Sequence, residues 1–201
     1  MEAKMEKGEN YNRPALGSRI KVEPIKSMKD IFAIKKILAD SPRDLALFTI
    51  GINTNLRASD LLSLKVGQVR GLKPMGEIVL NEKKTGKHRR INLNKACMDA
   101  INRLLATKTY KDEDYLFTGQ RGRLTVPYLN YLVKKWCADI NLRGNYGSHT
   151  LRKTWGYIQR VVFGHSLPEL MEVFGHATQR QTLTYLCIQP EEIKKIYANE
   201  I

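Results

Sequence analysis

Apolar positions recur at helical spacing along most of this chain, and capping residues bound the segments they mark. Ser27 precedes the stripe Ile31, Ile34, Ile37 and Leu38, with Asp30 at the third position, and predicts a helix. Ser41-Pro42-Arg43-Asp44 reads as a cap, a first-turn proline and a first-turn acid. The helix it opens, Leu45 to about Asn53, is apolar on most faces and should be buried. Leu56 to Leu64 predicts a short helix with Leu61, Leu62 and Leu64 facing inward. The period then changes. Val66 to Val69, Gly76 to Asn81 and Arg89 to Leu93 read as strands, with Thr85-Gly86 as the hairpin turn between the last two. Helical spacing returns after Asn94, which caps a helix to about Thr107. A loop containing Tyr115-Leu-Phe117 follows, and Thr125 with Pro127 opens a helix to about Ile140. Three more helices are expected: Thr150 to Phe163, Ser166 to Phe174 with a Ser166–Glu169 capping box, and Thr178 to Cys187. Pro190 opens a terminal helix, Glu191 to about Asn199, carrying Ile193, Ile196 and Tyr197 at helical spacing. The sum is a mainly α domain with a small antiparallel β-sheet, an α+β fold.

Residues 1–26 differ from the rest: they are polar, aperiodic and punctuated by Gly8, Pro14, Gly17 and Pro24. They read as an N-terminal arm or linker, leaving 27–201 as one domain with its C-terminal helix at 190–201. A hydrophobic fraction of 42 % suits a globular protein with a real core. The formal net charge of +14 changes the picture, because such an excess concentrates polyanions and makes nucleic acid the first partner to consider. The charge is also placed. Eight Lys or Arg lie between Gly119 and Arg160, opposed only by Asp139, and five more lie between Lys83 and Arg90 with no acid. Basicity thus belongs to the middle of the domain and not to a tail. Cys97, Cys137 and Cys187 are far apart, with no metal-ligand spacing, and read as small core residues in a reduced, cytoplasmic compartment. No apolar run approaches membrane-spanning length.

Four short motifs stand in order within this basic region. They are Asn55-Leu-Arg57-Ala-Ser-Asp60, the turn Lys83-Lys84-Thr-Gly-Lys87, His149-Thr-Leu-Arg152, and Gly175-His176 followed nine residues later by Tyr185. Together they supply two guanidiniums, two imidazoles, an ammonium and a phenol. Arginine forks bind phosphate oxygens with paired hydrogen bonds. A tyrosine oxygen can form a covalent phosphoester that stores the bond energy of a broken strand. Each motif alone has an ordinary reading: a helix-capping arginine, a solvated hairpin turn, a chance His-x-x-Arg pair, a core tyrosine.

From about Ser27 to Tyr185 the chain resembles the catalytic domain of the tyrosine recombinases, the phage integrase family. Asn55-Leu-Arg57-Ala-Ser-Asp60-Leu matches the family's first arginine motif, Lys84-Thr85-Gly86 its hairpin lysine, His149-Thr-Leu-Arg152 its His-x-x-Arg box, and Phe174-Gly175-His176 its Leu-Gly-His box. The resemblance implies catalytic roles for Arg57, Lys84, His149, Arg152, His176 and Tyr185, with Asp60 as a buried supporting acid. It implies double-stranded DNA as substrate, no metal or other cofactor, no small-molecule substrate, and self-association on DNA through the C-terminal helix. Lys83, Lys87, Arg121, Arg123 and Lys153 are the expected further DNA contacts. The chain departs from the pattern in three ways. Asn55 stands where the family usually has glycine, Asn92 where the strand often carries proline, and only about 26 polar residues stand where most members carry a separate DNA-binding domain. Two other functions use the same scaffold: a non-catalytic DNA-binding regulator and a type IB topoisomerase-like relaxing enzyme.

Overall fold

The computed structural model describes residues 22–81, 86, 88–188 and 197. Among these the chain forms α1 (Met28–Ile37), α2 (Pro42–Gly51), α3 (Ala58–Leu61), β1 (Gly76–Asn81), β2 (His88–Leu93), α4 (Lys95–Leu105), β3 (Thr118–Gly119), β4 (Gly122–Arg123), α5 (Val126–Asp139), α6 (Ser148–Val161), α7 (Leu167–Phe174) and α8 (Gln179–Leu186). The mainly helical reading with a small antiparallel sheet holds. β1 and β2 pair antiparallel from Gly76 opposite Leu93 to Asn81 opposite His88. No helix among the described residues is long and apolar enough to cross a membrane.

Helix starts follow the capping chemistry. The side chains of Ser27, Asn94, Thr125 and Thr178 each accept a hydrogen bond from a backbone N–H in the first turn that follows. Ser166 and Glu169 form the expected capping box. Ser41 holds the N-cap position of α2, but its side chain makes no capping bond.

Three expectations change. Val66–Gln68 is a 3-10 turn and not a strand. The N–H groups of Val66 and Gly67 donate to the carbonyls of Asp114 and Asp112, and the Lys65 N–H donates to Gln68 Oε1. Val66 and Val69 are both fully buried; a three-residue spacing places them on one side of such a turn, where a strand would put them on opposite faces. The helix expected over Leu56–Leu64 shortens to Ala58–Leu61, although Leu61, Leu62 and Leu64 do face inward. The β3–β4 hairpin, four residues of strand in all, lies where the sequence showed only a loop.

One large core unites α1–α6, the main hairpin and the loop at Phe117. Cys97 and Cys137 are part of it, and burial pushes both thiols up to about 12, so neither is reactive at neutral pH. A second, small cluster consists of Leu170, Phe174 and Leu186, with Trp155, Tyr185 and Ile188 packed against it. Fully burying such a side chain is worth about 1.5–3 kcal/mol. Three of them hold far less than the main core does, so α7 and α8 depend on α6 for their position. Residues 22–25, counted with the arm on sequence grounds, also lie on α6. Ile25 is fully buried, and its N–H donates to Thr154 Oγ1 at 2.8 Å.

Gly156 on α6 allows this docking. A Cβ there would lie 2.5 Å from Phe174 Cζ and 2.6 Å from Leu186 Cδ2. Alanine is intrinsically better than glycine in a helix by about 1 kcal/mol, but overpacking costs about 1–3 kcal/mol. Gly156→Ala is therefore expected to destabilise the protein by chemical denaturation. A variant as stable as wild type would show that α7 and α8 can move away freely.

Candidate active site

The first arginine segment leaves α2 through a left-handed residue. Asn55 has φ 52° and is 1 % exposed. Glycine and asparagine are the residues that reach this region at low cost, which accounts for asparagine in place of the family's glycine. Its Nδ2 donates to the Val173 carbonyl at 3.2 Å, tying this segment to the end of α7. Two residues on, Arg57 is the N-cap of α3, half-buried with extended backbone. Asp60, 2 % exposed, lies in the first turn of α3.

The second arginine comes from α6. Arg152 is 5 % exposed. A buried guanidinium is costly unless it is paired or hydrogen-bonded. Here Nη2 reaches the Phe174 carbonyl at 3.5 Å, and the guanidinium carbon lies 5.2 Å from the centre of the Phe174 ring. The C-terminal end of a helix favours such a cation, because its last carbonyls carry the negative end of the dipole. His149, three residues earlier in the first turn of α6, is exposed.

Gly175 ends α7 with φ 68°, and the His176 N–H then donates back to the Met171 carbonyl at 2.9 Å. This turn stacks the His176 ring on Phe174, with centroids 5.1 Å apart and planes 14° apart. His176 Nδ1 lies 3.1 Å from Thr182 Oγ1, while Thr182 Oγ1 is 3.5 Å from the Thr178 carbonyl. The direction of the shorter contact follows the tautomer: with the hydroxyl donating to Nδ1, the ring proton sits on Nε2. Tyr185, from α8, meets Phe174 at 5.2 Å and His176 at 5.1 Å between centroids, both edge-on.

The charges agree with this proximity. His176 is held below its ordinary value by burial, then by Arg152 and Arg57, and is neutral at pH 7. The Tyr185 phenol is raised by burial, against which Arg152 and Arg57 pull it down. The structure thus gathers Arg57, Arg152, His176 and Tyr185 from three distant segments, with His149 one turn from Arg152. Among the described residues no group of His, Cys, Asp and Glu could hold a metal ion.

Lys83, Lys84 and Lys87 lie outside the described residues. The hairpin that carries them ends with Asn81 opposite His88, and Gly86 has φ 67°. Arg89, on β2, reaches the Val173 carbonyl at 3.4 Å, so the hairpin base adjoins the end of α7. Arg121 and Arg123 are exposed on the β3–β4 hairpin, the latter 5.0 Å from the Tyr115 ring centre. Lys153, expected on a DNA-facing surface, is instead 6 % exposed. Its Nζ donates to the Val22 carbonyl at 2.7 Å and lies 4.9 Å from the Tyr185 ring centre. The sequence reading did not single out Phe174 as the ring on which the site is built, nor Thr182 and Arg89. Arg89 acts through a contact distant in sequence, Thr182 through one six residues away, and Phe174 is marked only as a member of the Phe174-Gly175-His176 box.

Known proteins match at several levels. The phage integrase family profile covers residues 24–192. Probable integrase/recombinase YoeC of Bacillus subtilis (strain 168) is 32 % identical over 180 residues, 88 % of this chain and 95 % of that protein. Tyrosine recombinase XerC of Caldanaerobacter subterraneus subsp. tengcongensis is 30 % identical over 173 residues, 80 % of this chain but 47 % of that protein. The chain therefore spans nearly the whole of one relative and about half of the XerC proteins it matches. In fold it resembles XerA recombinase (TM-score 0.69, 18 % identity, 88 % of this chain and 65 % of that one). It also resembles the catalytic domain of bacteriophage HP1 integrase (TM-score 0.56, 20 % identity, 88 % and 94 %). The fold and the ordered motifs define a tyrosine recombinase catalytic domain. The chain belongs to the phage integrase family.

Asn55 offers a test of this geometry. Asn55→Ala should lose about 1–2 kcal/mol to left-handed strain and about 1 kcal/mol more with its hydrogen bond. Asn55→Gly should lose less, although it removes more atoms. Urea melts of the two variants measure the order, and alanine at least as stable as glycine would contradict the assigned backbone.

Proposed function

We propose that this chain is a site-specific recombinase that cuts and rejoins DNA through a 3′-phosphotyrosyl intermediate. The observation that carries the reading is the convergence of Tyr185 and His176 with two arginines whose charge acts on both rings. A phosphodiester entering this cluster would meet guanidiniums placed for its non-bridging oxygens, which is the largest catalytic contribution such a site can make.

Tyr185 Oη attacks phosphorus and forms a P–O bond as the P–O5′ bond breaks in line. The raised phenol must lose its proton during attack, and His149 is the assigned acceptor. The departing 5′ oxygen takes a proton, which Lys84 supplies from the hairpin. Arg57, Arg152 and Nε2–H of His176 hold the non-bridging oxygens of the pentavalent transition state. A 5′ hydroxyl from a partner strand then attacks the phosphotyrosine and reverses every transfer. One ester replaces another, so the exchange needs no energy source and no cofactor. Asp60 supports the Arg57 turn from within the core. Lys83, Lys87, Arg121 and Arg123 extend the positive surface along the duplex, a contribution that should weaken steeply with salt. The protein acts in the cytoplasm, and protomers assemble on paired half-sites through the segment 190–201, of which Tyr197 alone is described and is exposed.

Neither alternative is favoured by a specific observation. A non-catalytic regulator would have no use for a tyrosine set among two arginines and a histidine, and the relatives carry integrase, recombinase and resolvase names.

Tyr185→Phe keeps the ring and its contacts and removes only the nucleophile. On nicked DNA drawn from the sequence flanking its gene, wild type should form a detergent-resistant protein–DNA adduct. The variant should form none while binding the same DNA. An adduct in the variant would assign the nucleophile elsewhere.

A further inference from the structure

Lys153 follows Arg152 directly, yet its side chain is directed into the protein, against Val22 and Tyr185. Its ammonium is buried at 6 % exposure. A buried ammonium is costly unless its three donors are used, and a methionine would fill the same space without that cost. The contacts made here are specific. Nζ donates to the Val22 carbonyl at 2.7 Å and approaches Cys187 Sγ at 3.6 Å. It also lies 4.9 Å from the centre of the Tyr185 ring, within cation–π range.

The anchor is itself fixed. Thr150 Oγ1 donates to the Glu23 carbonyl at 2.9 Å, and the Ile25 N–H donates to Thr154 Oγ1 at 2.8 Å. Thr150, Lys153 and Thr154 are spaced i, i+3 and i+4, so they share one face of α6 and grip the segment 22–25 as a strap. The end of α8 meets the same strap, where Cys187 Sγ lies 3.6 Å from the Val22 carbonyl. Phe174 and His176 pack edge-on against Tyr185. With the ammonium against its face, the tyrosine ring is held between two supports.

We propose that Lys153 is a positioning residue for Tyr185, locking the ring in the attacking orientation by bridging it to the strap at Val22. α6 thereby sets both partners of the reaction: Arg152 places the phosphate and Lys153 places the nucleophile. The strap adds a consequence. Residues 22–25 follow directly on the polar arm, so tension or docking of that arm would reach the tyrosine through Lys153 and through Cys187 at the end of α8. This inference rests on the cleavage reading above.

The test measures first-order cleavage of nicked DNA at saturating DNA, together with affinity across a salt series, for full-length wild type, Lys153→Met, Lys153→Gln and Lys153→Arg. Lys153→Met should cleave at least about tenfold more slowly, since small misplacements of reacting groups cost up to about 10²-fold. Its salt slope should equal that of wild type, whereas loss of a phosphate contact lowers the slope by about one. Lys153→Arg, which keeps a cation and a donor, should recover most of the rate. Lys153→Gln, which keeps a donor to Val22 without the charge, should fall between. If the methionine variant does not fold, the arginine–glutamine pair decides: arginine faster supports the proposal, and equal rates overturn it. A reduced salt slope with an unchanged saturating rate would overturn it in favour of a DNA contact. Lower melting temperatures with unchanged rates would reduce Lys153 to a packing role. Absence of any adduct from wild type would instead defeat the cleavage reading on which the proposal stands.

Discussion

The arrangement depends on the burial of Arg152 at the carbonyl end of α7. A guanidinium inside a protein demands hydrogen-bond acceptors and a field of the right sign. The end of a helix supplies both. Its Phe174 carbonyl faces Arg152, and the preceding Val173 carbonyl accepts from Asn55 and Arg89. Those three donors belong to α6, to the turn before α3, and to β2. One helix end is thus the junction of three segments far apart in sequence. Gly175 closes that end and stacks His176 on the same phenylalanine.

The electrostatics follow from this junction. Arg57 and Arg152 both act electrostatically on His176 and Tyr185 in a partly dry site. Their charge disfavours a proton on His176 and favours loss of one from Tyr185, while burial of the phenol opposes ionisation. Burial is the larger influence on the tyrosine, so Tyr185 rests as a neutral phenol. In the proposed reaction, a phosphodiester would bring its negative charge to these arginines at the point where charge grows during attack. The same field that binds substrate would then stabilise the transition state, with little reorganisation required.

Local chemistry was legible in the sequence wherever a short pattern has one structural solution. Capping residues located the starts of α1, α4, α5, α7 and α8, and the ordered motifs identified four residues that the fold brings together. Legibility failed where a residue's role is decided by its three-dimensional neighbours. Val66 and Val69 looked like strand residues because spacing cannot tell a buried 3-10 turn from a short apolar strand. The left-handed turn at Asn55 was visible only as a departure from a family glycine. Lys153 looked like a DNA contact in a basic stretch, and nothing local reveals that the Val22 carbonyl, 131 residues away in the chain, accepts its hydrogen bond. Phe174, the ring against which Arg152, His176 and Tyr185 all rest, was legible only as the first residue of a motif, not as the ring on which the site is built.

The central claim is that the arginines, histidine and tyrosine are already assembled before DNA binds. Titration of His176 by nuclear magnetic resonance tests it most directly in the DNA-free protein, where only four histidines need assignment. The account predicts a midpoint below the ordinary histidine value, moving upward in Arg152→Gln as one of the two positive neighbours is removed. An ordinary midpoint that ignores Arg152 would mean that the cluster forms only on DNA, contradicting the preassembled site.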